Sequence, residues 1–204
     1  MRTFILSGSM RPNSQTRKVA NFIQHSLSSE NLAEESFLLD LGHQPLPLWT
    51  KDREKDSAFL ETWNPIYSEL EKADSLVILS PEWNGMATPG VLNFLLLCDN
   101  KILAHKPVLL VGVSNSRGGG TVISELRSYG LKNTFYSAIP EHLIIHNVES
   151  MMNNFDLKLG EKDDIYIKNR TIYAIKLLKE YAQALQLVRD SGVINLESYV
   201  NGMS

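Results

Sequence analysis

Five apolar runs recur along the chain: Thr3-Phe4-Ile5-Leu6, residues 36–41, residues 75–80, residues 107–113, and His142-Leu143-Ile144-Ile145, to which residues 135–139 are a possible extension. Between them, apolar residues return at helical spacing. Val19, Phe22, Ile23 and Leu27 share one face of a helix after the first run. Ile66, Leu70 and Ala73 share a face of a second helix over 64–73, with Pro65 in its first turn, where the missing N–H costs little. Further helices are predicted from Pro89-Gly90 to about Asp99, over 121–129 and over 163–188, the last with Ile172, Ile175, Tyr181, Leu185 and Val188 near one stripe. Runs such as Ser75-Leu76-Val77-Ile78-Leu79-Ser80 do not alternate, which suits strands covered on both faces. Strands alternating with helices predict an α/β fold with a parallel sheet, right-handed crossovers and helices on both sides. The pattern is unbroken, so residues 1–204 are expected to form a single domain.

Ligands of such sheets bind beyond the carboxyl ends of the strands, near the point where strand order reverses. The loops after the first, third and fourth strands, residues 7–14, 81–88 and 114–120, should therefore converge. The first, Ser7-Gly8-Ser9-Met10-Arg11-Pro12-Asn13-Ser14, joins a strand to a helix start, where outward N–H groups and the helix dipole favour an anion. Its hydroxyls can donate, Gly8 allows close backbone approach, and Arg11 offers a forked cation suited to phosphate. Ser14 or Asn13 is also an ordinary N-cap candidate. No Gly-Lys-Ser or Gly-Lys-Thr ending follows, which disfavours a nucleotide triphosphatase loop. In Pro81-Glu82-Trp83-Asn84-Gly85, an aromatic face and an amide suit a planar heterocycle, though Trp83 could equally be a core residue. The third loop, Ser114-Asn115-Ser116-Arg117-Gly118-Gly119-Gly120-Thr121, presents backbone amides with few side chains in the way, and its spacing is not the dinucleotide Gly-x-Gly-x-x-Gly.

Composition narrows the classes. With 43% apolar and 21% charged residues the chain has material for a sizeable core, and a formal charge of −3 lacks the basic excess that nucleic-acid binding needs. The longest apolar stretch, residues 91–98, is far short of the about 20 residues of a membrane span, and no secretory signal is evident at the N-terminus. A cytoplasmic protein is expected. Cys98 is the only cysteine, which excludes an internal disulfide, and in an apolar helix it is expected to be a buried, inert thiol. The five histidines show no zinc spacing, no Gly-x-Ser-x-Gly elbow surrounds a serine, and the acidic pairs Glu34-Glu35 and Asp163-Asp164 resemble solvated charges, so neither a metal nor a hydrolytic nucleophile is expected. The helix over 91–97 carries apolar residues on too many sides for one sheet to cover, which predicts a homodimer or homotetramer.

Gly8-Ser9-Met10-Arg11-Pro12-Asn13-Ser14, Pro81-Glu82-Trp83-Asn84 with Pro89-Gly90-Val91-Leu92, and Gly118-Gly119 together resemble the NADPH-dependent FMN reductase family, which includes quinone, azo-dye and chromate reductases. The resemblance runs from the first strand to the final helix and implies a flavodoxin-like three-layer sandwich with a five-stranded parallel sheet in the order 2-1-3-4-5. It implies that Ser9, Arg11 and Ser14 hold the FMN phosphate, that Pro81, Glu82, Trp83, Asn84 and Gly85 border the isoalloxazine, and that Ser114, Arg117, Gly118 and Gly119 approach its pyrimidine side. NADPH or NADH would be the donor and a quinone, free flavin, azo compound or metal oxyanion the acceptor, with no side chain assigned as a catalytic acid or base. Trp83 stands where the family usually has tyrosine, and Asn93-Phe94-Leu95-Leu96-Leu97-Cys98 replaces the usual Lys-Asn-Ala-x-Asp-Trp in a helix that in relatives contributes to the subunit interface. The alternative is a flavodoxin-like FMN-binding electron carrier or regulatory protein without NAD(P)H turnover.

Overall fold

The computed structural model describes residues 1–99, 101–129 and 131–199. The apolar runs form β1 (Arg2–Ser7), β2 (Glu35–Asp40), β3 (Ser75–Pro81), β4 (Pro107–Val113) and β5 (Ser137–Ile145), all parallel, in the order β2-β1-β3-β4-β5. Every residue of β3 and β4 is buried, as the non-alternating runs required. Successive side chains point to opposite faces and meet different helices. Phe4, Leu6, Leu76 and Ile78 pack with α2 (Ser57–Lys72), α3 (Pro89–Leu97) and α4 (Gly120–Tyr129), whereas Ile5, Val77, Leu109 and Val111 pack with α1 (Gln15–Ser29) and α6 (Lys162–Asp190). A short α5 (Leu131–Thr134) precedes β5. The result is the three-layer flavodoxin-like sandwich.

Four details extend or depart from the sequence reading. The second helix begins at Ser57 rather than 64, so Pro65 lies inside it. Asp56 caps this longer helix by accepting from the N–H groups of Ala58 (2.9 Å) and Phe59 (3.4 Å), and Phe59 and Trp63 are buried beneath it. A cap worth about 1 kcal/mol and two large side chains worth about 1.5–3 kcal/mol each outweigh an internal proline's cost of about 3 kcal/mol. At β5, both candidate segments join one strand with a break in register, Val108 pairing with Ala138 and Leu110 with His142. Pro140, which has no N–H to give the ladder, sits in that irregularity.

The third is in α6. Ile172 and Ile175 are buried with Thr171, Ala174, Leu178 and Ala182, but Leu185 is only half-buried and Val188 is exposed, because the helix outruns the sheet. Asp164, expected to be solvated, is instead 4% exposed and pairs with Lys168, 0% exposed, at 2.8 Å. The Lys168 ammonium also donates to Asn154 Oδ1 (2.8 Å), Leu159 O (2.8 Å) and Asp156 O (3.1 Å), while Asp164 accepts from the Met152 N–H at 2.6 Å. This cluster fastens the segment over 152–159 to α6.

The last concerns α3, whose apolar sides find cover within the chain. Asn93 accepts from the Trp49 N–H (2.8 Å) and donates to Pro47 O (3.0 Å), laying the proline-containing segment along the helix, and only Leu96 of its large apolar side chains stays exposed, at 59%. Cys98 follows as a buried thiol, pushed well up from its ordinary pKa by burial and by the Asp99 charge. Among the described residues no helix is long and apolar enough to cross a membrane.

Candidate functional site

The loop after β1 is held to β3 before it reaches solvent. The Gly8 N–H donates to Leu79 O (2.9 Å), the Thr88 hydroxyl donates to Gly8 O (2.6 Å), and a Cβ at Gly8 would stand 2.5 Å from Leu79 O. Only glycine fits there. Ser9 is buried and its hydroxyl accepts from the Arg11 N–H at 3.3 Å. Ser14 caps α1 by accepting from the Arg17 N–H at 3.1 Å. The first-turn N–H groups of Gln15 and Thr16 have no intrahelical acceptor and meet none elsewhere among the described residues. They are free donors at the positive end of a 15-residue helix.

These residues line one end of an open cavity of about 390 Å³ at the carboxyl edge of the sheet. Ser9, Arg11 and Ser14 come from the first loop and Gln15 and Thr16 from the start of α1, Pro81, Glu82 and Trp83 from the end of β3 and just beyond it, and Val113, Ser114 and Asn115 from the end of β4 and just beyond it. The three loops therefore converge as strand order predicted. The Arg11 guanidinium lies over the Trp83 ring at 4.7 Å, so the indole positions the cation.

Other expected site residues sit around this cavity and not along its lining. Asn84 and Gly85, both at positive φ (51° and 75°), form a two-residue turn closed by Trp83 N–H to Met86 O and Met86 N–H to Trp83 O, each 3.0 Å. The Asn-Gly pair supplies the conformation this turn demands and so aims Trp83, while Asn84 is exposed at the tip. Gly118 and Gly119 are packed, not loose: the Gly119 N–H donates to the Glu82 carboxylate, and a Cβ on Gly118 would come within 2.6 Å of Glu82 Oε1. Glu82 thus lines the cavity and braces the glycine loop. Arg117 points away, into a second cavity beyond that loop.

Sequence reasoning missed Gln15, Thr16, Asn115 and a support beneath the first loop. Asp40, at the end of β2 and 5% exposed, accepts from Arg17 (2.9 Å) and lies 2.5 Å from His43 Nδ1. The turn it anchors presses directly on the loop, since a Cβ at Gly42 would stand 2.3 Å from Arg11 O. The strand order 2-1 was the available signal, because it puts the end of β2 beside the loop after β1. Burial works to raise the Asp40 carboxyl, but His43 and Arg17 hold it below the ordinary carboxylate value. A depressed folded-state pKa contributes stability above the unfolded value of about 3.9, and that stability is lost as pH falls through the folded one. Asp40→Asn is expected to cost about 1.5–3 kcal/mol at pH 7, with the gap from the native protein closing below about pH 4 in urea titrations.

Residues 1–149 match the NADPH-dependent FMN reductase family. The chain belongs to that family. It is an oxidoreductase, and the family's cofactor and donor are FMN and NADPH. Within this reductase family the chain is 25% identical over 189 residues to an NADPH azoreductase of Bacillus sp., covering 93% of this chain and 97% of that protein. It is 29% identical over 121 residues to a quinone reductase of Pseudomonas putida, covering 57% of this chain and 61% of that protein. Two solved structures share the fold. An oxidoreductase from Corynebacterium diphtheriae superimposes with a TM-score of 0.68 at 16% identity, over 90% of this chain and 97% of that one. The flavoenzyme NAD(P)H:(acceptor) oxidoreductase FerB of Paracoccus denitrificans gives 0.67 at 17%, over 88% and 98%.

The cavity of this FMN reductase family member suits a flavin mononucleotide by its donor set. Two unpartnered helix N–H groups, two serines and Arg11 gather at one end, and Gln15 Oε1 is a buried acceptor with no hydrogen bond, an orphan that a ligand hydroxyl would satisfy. The other end has an aromatic ring and backbone at the ends of β3 and β4.

Proposed function

We propose that the protein is an NAD(P)H-dependent oxidoreductase that uses FMN to pass hydride to a second small molecule such as a quinone, free flavin, azo compound or metal oxyanion. The observation that carries this reading is the single cavity whose phosphate-type donors lie at the start of α1 and whose planar-ring surfaces lie at the ends of β3 and β4. Ser9, Arg11 and Ser14, joined by the N–H groups of Gln15 and Thr16, would hold the phosphate. Pro81, Glu82, Trp83 and Ser114 would border the ring, with Asn84, Gly85, Gly118 and Gly119 shaping those walls from behind. The bound flavin supplies the two-electron chemistry. The chain's share is binding and placement, and no side chain needs to act as acid or base. Anaerobic mixing of the FMN-loaded protein with NADPH or NADH tests the reading: flavin absorbance should bleach within seconds, and parallel double-reciprocal lines should appear when donor and quinone are varied. A flavin that binds tightly and stays oxidised for many minutes with both donors would instead support the carrier.

The same reading includes a homodimer or homotetramer in the cytoplasm, acting on small molecules rather than on nucleic acid or membrane. Leu48, Trp49 and Leu96 are 76%, 43% and 59% exposed where the proline-containing segment crosses α3, and a second copy would cover them. Leu96→Glu is expected to convert the assembly to monomer at micromolar concentration, as read by light scattering, with little change in helix content.

A further inference from the structure

A second cavity, of about 420 Å³, opens on the far side of the glycine loop. The loop is a thin partition: the Gly119 N–H reaches Glu82 in the first cavity, while a Cβ on the same residue would come 2.8 Å from Ile144 Cγ2 on the second cavity's floor. Ile144 and Met151 give that floor apolar surface, and Tyr166, 66% exposed, gives it an aromatic face. Arg117, His146 and Asp163 also line it. None of the side chains of Arg117, His146, Asp163 and Tyr166 has a hydrogen bond or ion pair among the described residues. Arg17, by contrast, is committed to Asp40.

We propose that this cavity takes the adenosine end of the nicotinamide donor, with Tyr166 against the adenine and Arg117 and His146 on the 2′-phosphate that distinguishes NADPH from NADH. The proposal rests on the oxidoreductase reading above, because a donor whose nicotinamide works in the first cavity must lay its other end nearby. The two cavities meet that need. They flank neighbouring strands about 4.8 Å apart, joined at their ends by Ser114 N–H to Ile145 O (2.9 Å) and Asn147 N–H to Ser116 O (3.0 Å). An aromatic side chain above an apolar floor suits a purine, and an unspent guanidinium suits a phosphate dianion. Asp163 opposes Arg117 in this scheme, since a carboxylate favours the ribose hydroxyl of NADH and repels the phosphate. The balance between these two side chains sets donor choice.

The test has a binding arm and a kinetic arm, both on the FMN-loaded protein. Calorimetric titration with adenosine 2′,5′-bisphosphate and with 5′-AMP should show the bisphosphate binding more tightly. Arg117→Ala should weaken the bisphosphate by about ten- to a hundredfold and leave 5′-AMP unchanged, whereas Asp163→Asn should strengthen the bisphosphate. The ratio of kcat/KM for NADPH to that for NADH should fall in the first variant and rise in the second, a pair of opposite signs that a merely structural role would not give. Equal affinity for both nucleotides in native protein and Arg117→Ala, or an unmoved kcat/KM ratio in both variants, would overturn the proposal. A change confined to the KM of an anionic aromatic acceptor would also overturn it and assign the cavity to the acceptor. Failure of flavin reduction by both donors would count against the oxidoreductase reading, whereas the nucleotide titrations report on this cavity directly.

Discussion

Replacing Lys168 by methionine is expected to lower the free energy of unfolding by about 3–5 kcal/mol, because it strands the buried Asp164 carboxylate. The ammonium is fully enclosed and serves four oxygens: Asp164 Oδ2, Asn154 Oδ1 and the carbonyls of Asp156 and Leu159. Methionine fills similar volume and satisfies none of them. Relaxation is also limited, since Gly160 sits at φ 141° with Asp164 Oδ2 only 2.3 Å from where its Cβ would stand. Urea titration of Lys168→Met measures the loss, and Lys168→Met with Asp164→Leu should recover much of it, because removing both charges costs far less than removing one. A shift within about 0.5 kcal/mol, the size expected of an exposed lysine, would show that water reaches the cluster.

Arg11→Ala is expected to weaken FMN binding by roughly ten- to a hundredfold, the equivalent of about 1.5–3 kcal/mol for a charge-assisted contact. Arg11 is exposed and its guanidinium rests on Trp83, so the fold should survive the change. Riboflavin supplies the control. It lacks the phosphate, and its affinity should change little in the same variant. Fluorescence titration of apoprotein with both flavins reads the difference, and a parallel loss for FMN and riboflavin would move Arg11 from the phosphate to the ring. Raising the salt concentration should narrow the gap between native protein and variant, as expected for an exposed cation.

Much of this architecture was legible because it depends on periodicity. Continuous runs such as Leu76-Val77-Ile78-Leu79 identify strands covered on both faces, and the convergence of three loops follows from strand order. What escaped depends on where side chains point after folding. The start of α2 escapes because Pro65 reads locally as a beginning, while the burial of Phe59 against Trp63, and of Trp63 against Phe94, is a tertiary gain. Asp164 and Lys168 have the spacing of an ordinary exposed pair, and only the segment folded over them makes them a buried cluster. Gly118 and Gly119 read equally well as flexible or as flat ligand wall, and the decisive fact, Glu82 pressed against them, lies 37 residues away in sequence. Arg117 stands next to Gly118 yet faces a different cavity, a division that adjacency in sequence conceals.

The attachment of Gly8 to Leu79 and Thr88 has a consequence for the timing of motions. The Gly8 amide is locked into the edge of the central strand, so its exchange with deuterium is tied to opening of the sheet itself, whereas the amides of Gln15 and Thr16, a few residues on, have no acceptor among the described residues and belong to residues that line the cavity. The proposed anion site would therefore combine a slow frame with donors free of any backbone partner. If a phosphate binds there, the loop that receives it is already pinned to β3 at Gly8, so its capture would spend little entropy on ordering the loop.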